Sequence, residues 1–220
     1  MTTLSTVLFD LDGTLLDTAP DLAFALNRTL EDFGRPALPF ERIRPVVSHG
    51  GRALIELGFG LEPDAPGFEE RRRHLLDVYL ANIARETRLF AGMEEVLDAL
   101  EESGMPWGVV TNKPGWLTEP LMDALQLRPR CATLVSGDTL PQRKPHPAPV
   151  RLACEQAGAD PGQCLYVGDA ERDIAAGRAA GTHTAAALFG YLLPGDRPEQ
   201  WGADHLIETP ARLLQILRTC

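Results

Sequence analysis

Lysine is almost missing from this chain: of its 220 residues only Lys113 and Lys144 carry an ammonium side chain. Positive charge of any kind is short, with 21 Lys plus Arg against 31 Asp plus Glu and a formal net charge of −10. A protein that tracks a nucleic-acid backbone needs a basic face, so nucleic acid is excluded as a partner and only a local basic pocket for a small anion is left. Cysteine is scarce as well. Cys131, Cys154, Cys164 and Cys220 form neither a CxxC pair nor a regular framework, which excludes a disulfide scaffold. No apolar run approaches a membrane span, and no basic region followed by an apolar run opens the sequence. A soluble protein of the reducing cytoplasm, with no membrane partner, is the expectation. Internal repeats and low-complexity tracts are absent too.

Against these absences stands one stretch, Thr6-Val7-Leu8-Phe9-Asp10-Leu11-Asp12-Gly13-Thr14. A β-favouring run ends in two carboxylates, and Gly13 then lets the backbone turn sharply. Paired like charges cost stability unless a cation or a proton relieves them, so the pair points to a metal, a reaction, or both. A plain turn would explain Asp12-Gly13 alone. The start of a calcium loop does not fit, because its glycine would have to stand at Leu15.

Downstream, residues 17–85 read as helical without a convincing strand. The periodicity predicts helices over 20–33 and 68–85 and shorter ones over 40–47 and 52–57, with Ser48-His49-Gly50-Gly51 as a flexible break. Arg71-Arg72-Arg73 reads as a solvated face paired with Glu69 and Glu70. From about residue 90 onward helices and strands alternate, with strands over 107–111, 132–135, 164–167 and 184–188 and a short one at 206–207. Alternation of this kind predicts an α/β fold: a Rossmann-like parallel sheet with helices on both faces. The domain organisation expected is a core of residues 1–16 and 86–220 with an inserted α-helical cap at 17–85. Ligands in such sheets bind beyond the carboxyl ends of the strands, and polar residues gather there: Asp10 and Asp12, Thr111 and Asn112, Lys144, Asp169, and Asp173 one helical turn later. Several carboxylates, an ammonium and a hydroxyl are a kit for holding magnesium and phosphate together.

The constellation resembles the haloacid dehalogenase superfamily of phosphatases. The motif DxDGT stands as Asp10-Leu11-Asp12-Gly13-Thr14, a strand closing in Thr as Val109-Val110-Thr111-Asn112, the lysine motif as Lys144-Pro145, and GDxxxD as Gly168-Asp169-Ala170-Glu171-Arg172-Asp173. The resemblance implies Asp10 as nucleophile forming an aspartyl phosphate and Asp12 as general acid and base. It implies Mg2+ held by Asp10, the Asp12 backbone carbonyl and Asp169; Thr111, Asn112 and Lys144 around the phosphate; and Asp173 in support. Ala170 departs from the Ser or Thr common after GD, which removes no ligand. In the cap, Gly50, Gly51 and Arg52 are expected to contact substrate.

Within the superfamily, Asp12 argues against a dehalogenase. The lysine-free stretch 17–85 argues against a phosphonatase, which needs a cap lysine for a Schiff base. The whole chain resembles the 2-phosphoglycolate phosphatase group, so a magnesium-dependent phosphoric monoester hydrolase acting on a small phosphorylated metabolite, 2-phosphoglycolate, is expected. The alternatives are N-acetylmuramic acid 6-phosphate, which the stretches 48–53, 107–114 and 201–204 suggest by resemblance, and a sugar phosphomutase. The non-enzymatic alternatives are a phospho-acceptor signalling module and a binding protein on the same scaffold. Either a monomer or a homodimer is compatible with the sequence.

Overall fold

The computed structural model describes residues 4–219. Strand β1, Thr6–Phe9, is buried along its whole length. A two-residue strand β2, Leu16–Asp17, leads into helix α1, Ala19–Asp32. Then come α2, Phe40–Ile43, a 3-10 segment Arg44–His49, α3, Gly50–Phe59, and α4, Phe68–Ala81. The chain returns through β3, Arg88–Leu89, to α5, Met93–Glu102, β4, Trp107–Val110, α6, Gly115–Ala124, and β5, Thr133–Val135. It ends with α7, Ala148–Gln156, β6, Cys164–Gly168, α8, Glu171–Ala180, β7, His183–Ala187, β8, His205–Ile207, and α9, Ala211–Thr219.

Six strands form one parallel sheet in the order β5-β4-β1-β6-β7-β8. Successive side chains leave a strand on opposite faces. Val7 and Phe9 accordingly join one apolar cluster with Val109, Leu165, Val167 and the α5 residues Met93, Val96 and Leu97. Leu8 joins the other with Val110, Tyr166, Val150 and Ala176. Both faces are covered, so β1 reads as a continuous apolar run rather than an alternating one. The strand order switches at β1, which has β4 on one side and β6 on the other. The crevice at the carboxyl ends of these three strands is therefore the place for a ligand.

A separate apolar cluster binds α1, α3 and α4 together, with Leu22, Leu26 and Leu30 of α1 facing Leu54, Ile55, Leu75 and Tyr79. The helical reading of 17–85 is modified at its margins. β2 and β3 pair antiparallel, Leu16 opposite Leu89 and Asp17 opposite Arg88, so the two chain crossings are laced together. Two residues per strand give too short a pattern to read from sequence. The segment expected to be a flexible break is helical on both sides of Gly50, whose φ of 75° is the one discontinuity. Helix α4 stops at Ala81 instead of running to 85.

A buried aspartate ties the start of α1 to the chain that leads into β3. Asp21, fully buried in the first turn of α1, accepts hydrogen bonds from the Glu86 and Thr87 amides at 2.9 Å and from the Thr87 hydroxyl at 2.7 Å. Nearby, the Tyr191 hydroxyl accepts from the Ala19 amide at 2.9 Å and donates to Asp17 Oδ1 at 2.6 Å.

Candidate active site

Register brings the predicted residues to one edge. Phe9 lies opposite Val109 on one side and Val167 on the other, so Asp10, Thr111 and Asp169 emerge side by side. Asp10 is 3 % exposed. Its Oδ1 accepts from the Leu11 amide at 2.7 Å and stands 2.8 Å from Lys144 Nζ. Burial, followed by repulsion from Asp173 and Asp169, pushes the Asp10 carboxyl up to about 7 against the pull of Lys144 and Arg172. Asp169 rises to about 6 for the same first reason, burial, with Asp173 adding to it.

Lys144 carries no exposed side-chain surface. Its ammonium donates to the Val110 carbonyl at 2.8 Å and to the Tyr166 hydroxyl at 2.9 Å, and it lies 2.8 Å from Asp173 Oδ1. Asn112 holds that lysine's backbone from both sides, donating to the Lys144 carbonyl and accepting from its amide, each at 3.0 Å. The Asn112 side-chain amide is thus spent on positioning the lysine loop. Thr111, 3 % exposed, accepts from the Lys113 amide at 3.1 Å.

Asp12 turns the other way. Its Oδ1 receives the Thr18 hydroxyl at 2.6 Å and Lys113 Nζ at 3.0 Å, while its backbone carbonyl lies 3.1 Å from Ser48 Oγ. Lys113 also sits over the Tyr79 ring, 4.5 Å from the centroid. Burial lowers the pKa of Lys113, but Asp12 and Tyr79 outweigh that and hold the ammonium above its usual range. Both lysines of the chain therefore belong to this site. The scarcity of lysine was a signal for Lys113 that the motif reading assigned only to Lys144.

Carboxylate oxygens of Asp10, Asp169 and Asp173 lie within 4.8 Å of one another. Buried hard-oxygen donors whose mutual repulsion is only partly relieved fit a divalent cation such as magnesium. Asp169 is held in place by the Thr14 hydroxyl at 3.2 Å, the Ser48 hydroxyl at 2.8 Å and the Tyr191 amide at 2.9 Å. Gly13, at φ 87°, passes so close that any side chain there would strike the Asp169 carboxylate and Ser48 Oγ.

A cavity of about 760 Å³ opens above Asp10 and Asp12 towards α3 and α4. Gly50, Gly51 and Arg52 are among the residues that line it. Arg52 is two-thirds exposed, and its Nε donates to Glu56 on the same helix at 2.8 Å. Arg72 and Arg73 also line the cavity, so the face read as solvated, with Arg73 exposed, is turned towards the site; the pairs read from sequence are present as Arg72–Glu69 at 2.8 Å and Arg71–Glu70 at 3.8 Å. Arg71 also lies over the Phe33 ring at 4.7 Å. Sequence reasoning passed over Ser48, Lys113, Trp116, Tyr166, Arg172 and Tyr191. Arg172, an unspecified position within GDxxxD, donates from Nη2 to the Ser48 carbonyl at 2.7 Å.

The model of the haloacid dehalogenase-like hydrolase family matches residues 7–187. The chain belongs to that family. It is 45 % identical over 214 residues to the N-acetylmuramic acid 6-phosphate phosphatase of Pseudomonas aeruginosa, covering 97 % of this chain and 95 % of that one. It is 46 % identical over 207 residues to a phosphoglycolate phosphatase of Xanthomonas campestris, covering 94 % and 93 %. The crystal structure of a predicted phosphoglycolate phosphatase from Haemophilus somnus superposes with a TM-score of 0.86 at 30 % identity, covering 98 % of this chain and 99 % of that one. By family and by these relatives the chain is a phosphatase of the haloacid dehalogenase type.

Proposed function

We propose that the chain is a magnesium-dependent phosphomonoesterase that passes the phosphoryl group through Asp10. The observation that carries this reading is the placement of Asp10 against Lys144, 2.8 Å apart at the floor of a cavity that Asp12 also lines. In the first step an Asp10 oxygen forms a bond to phosphorus as the ester P–O bond breaks, and Asp12 delivers a proton to the departing oxygen. In the second, water attacks phosphorus while Asp12 takes its proton, which releases inorganic phosphate and restores the Asp10 carboxylate. Lys144 keeps Asp10 charged and aligned, and Thr111 offers its hydroxyl to the phosphoryl oxygens. Asn112 acts by holding the Lys144 loop and offers its backbone to the phosphate.

Asp10, Asp169 and the Asp12 carbonyl would hold magnesium, with Asp173 beside them orienting Lys144. Bound there, the ion would supply positive charge to the phosphoryl oxygens as negative charge grows on them. Residues 17–85 would act as a cap over residues 1–16 and 86–220, closing on the bound substrate and shielding its charges from bulk solvent.

For the substrate, relatives of nearly equal identity bear two different names, and the size of the cavity supports the larger compound. A hollow of about 760 Å³ lined by Trp116, Arg73 and Arg143 is several times larger than a phosphorylated two-carbon acid. It suits a phosphorylated sugar acid such as N-acetylmuramic acid 6-phosphate, whose carboxylate an arginine can pair. Phosphate release from both compounds, with magnesium and with EDTA, tests the reading. The sugar acid should show the higher kcat/KM, and Asp10→Asn and EDTA should each abolish turnover. Preference for 2-phosphoglycolate would overturn the substrate, and activity without Asp10 would overturn the mechanism.

A further inference from the structure

Ser48 is a residue of the helical segment, near the end of the 3-10 turn before Gly50, yet its hydroxyl reaches two oxygens at the strand ends. Oγ lies 2.8 Å from Asp169 Oδ2 and 3.1 Å from the Asp12 carbonyl oxygen. Both neighbours are acceptors, and a hydroxyl has one proton to share between them. The three oxygens have two donor protons among them, the second from the Tyr191 amide on Asp169 Oδ2 at 2.9 Å. Their spacing also has a meaning. Oxygens on neighbouring corners of a magnesium octahedron, each about 2.0–2.1 Å from the ion, stand about 2.9 Å apart. The hydroxyl thus keeps the company and the spacing of a cation's oxygen shell.

We infer that Ser48 is a positioning residue that joins the helical segment to the magnesium site, so that closing this segment over the sheet and binding the ion favour each other. The inference rests on the reading that Asp169 and the Asp12 carbonyl hold the ion. Other contacts set the hydroxyl in place. The Ser48 carbonyl accepts from Arg172 Nη2 at 2.7 Å, and Arg172 is itself fixed among the acidic residues of the site, whose charges raise its pKa against burial. Gly13 leaves just enough room, since a side chain there would meet Ser48 Oγ. When the segment swings away, the ion loses an oxygen of its shell or the donor that orients Asp169. By linkage, a bound ion then holds the segment down.

The test is magnesium binding to the whole protein by calorimetry, without substrate, on wild type, Ser48→Ala, Ser48→Thr and Asp169→Asn. Amide hydrogen exchange over residues 44–59 is followed with and without the ion. Removing the hydroxyl should weaken magnesium roughly tenfold and remove the ion's protection of 44–59. The threonine, which keeps the hydroxyl, should stay close to wild type in both readouts. Thermal unfolding without metal confirms that each variant is folded. If wild type and Asp169→Asn bind magnesium alike, the metal reading fails and this inference with it. If Asp169→Asn loses the ion while Ser48→Ala binds as tightly as wild type, the metal reading stands and the role of Ser48 alone is overturned.

Discussion

Lys113 Nζ and Asp12 Oδ1 lie 3.0 Å apart, both largely buried, with the ring of Tyr79 from α4 over the ammonium. On the proposed mechanism, the pair fixes the carboxylate that hands a proton to the leaving group. Replacing Lys113 with Met keeps the apolar stem and removes the charge. The expected loss in kcat is about 100-fold or more for an alkyl phosphate, in the range of a misplaced general acid. It should be much smaller for p-nitrophenyl phosphate, whose leaving group needs no proton. Equal losses on the two substrates would remove Lys113 from proton transfer.

The site's carboxyls give a signed dependence on pH. Asp10 at about 7 and Asp169 at about 6 both stand above the ordinary 3.8, so the folded metal-free protein binds more protons than the unfolded chain. That contribution to stability is full below the unfolded value and is lost as pH rises through 6 and 7. In EDTA the melting temperature should fall between about pH 5.5 and about pH 8, and Asp10→Asn should flatten the fall. Magnesium competes with these protons, so it should raise the melting temperature more at the higher pH. A melting temperature in EDTA that climbs over this range would contradict the burial argument.

Asp21 predicts a stability effect away from the chemistry. Its carboxylate satisfies two amides and a hydroxyl of the returning chain, and alanine would leave the buried Thr87 amide and hydroxyl without this partner and the Glu86 amide to solvent. The expected cost is roughly 3 kcal/mol or more, which corresponds to a fall on the order of 10 °C in melting temperature. Urea unfolding followed by circular dichroism reads it. A change within about 0.5 kcal/mol would mean that water replaces the carboxylate.

Trp116 stands 46 % exposed at the cavity wall, an unusual placement for a large aromatic. A sugar ring lying on it would bury apolar surface worth about 1–2 kcal/mol. Trp116→Ala should therefore lower kcat/KM roughly tenfold for N-acetylmuramic acid 6-phosphate and leave 2-phosphoglycolate nearly unchanged. The same loss on both compounds would assign the tryptophan to structure.

Much of this was legible in the sequence because the central strands announce themselves. β1 and β6 are buried on both faces and end in carboxylates, so pattern and chemistry coincide. The site residues inside motifs were legible for the same reason. What escaped is what depends on contacts distant in sequence. Ser48 meets Asp169 across 121 residues and Tyr191 meets Asp17 across 174, and no local periodicity records either. The lacing of β2 to β3 is two residues long, below any pattern. Arg72 and Arg73 looked solvated because their helix periodicity gives a polar face, and only the fold turns that face towards a cavity.

One consequence of the lysine distribution concerns chemistry done on the protein from outside. Lys144 shows none of its side chain to solvent and Lys113 only 6 %, and no other lysine exists. Acylating reagents, reductive methylation and aldehyde cross-linkers thus find no lysine side chain on the surface. Lys113, which lines the cavity, is the lysine a small reagent reaches first, so the rate of its modification should report on access to the site, and a ligand that fills the cavity should slow it.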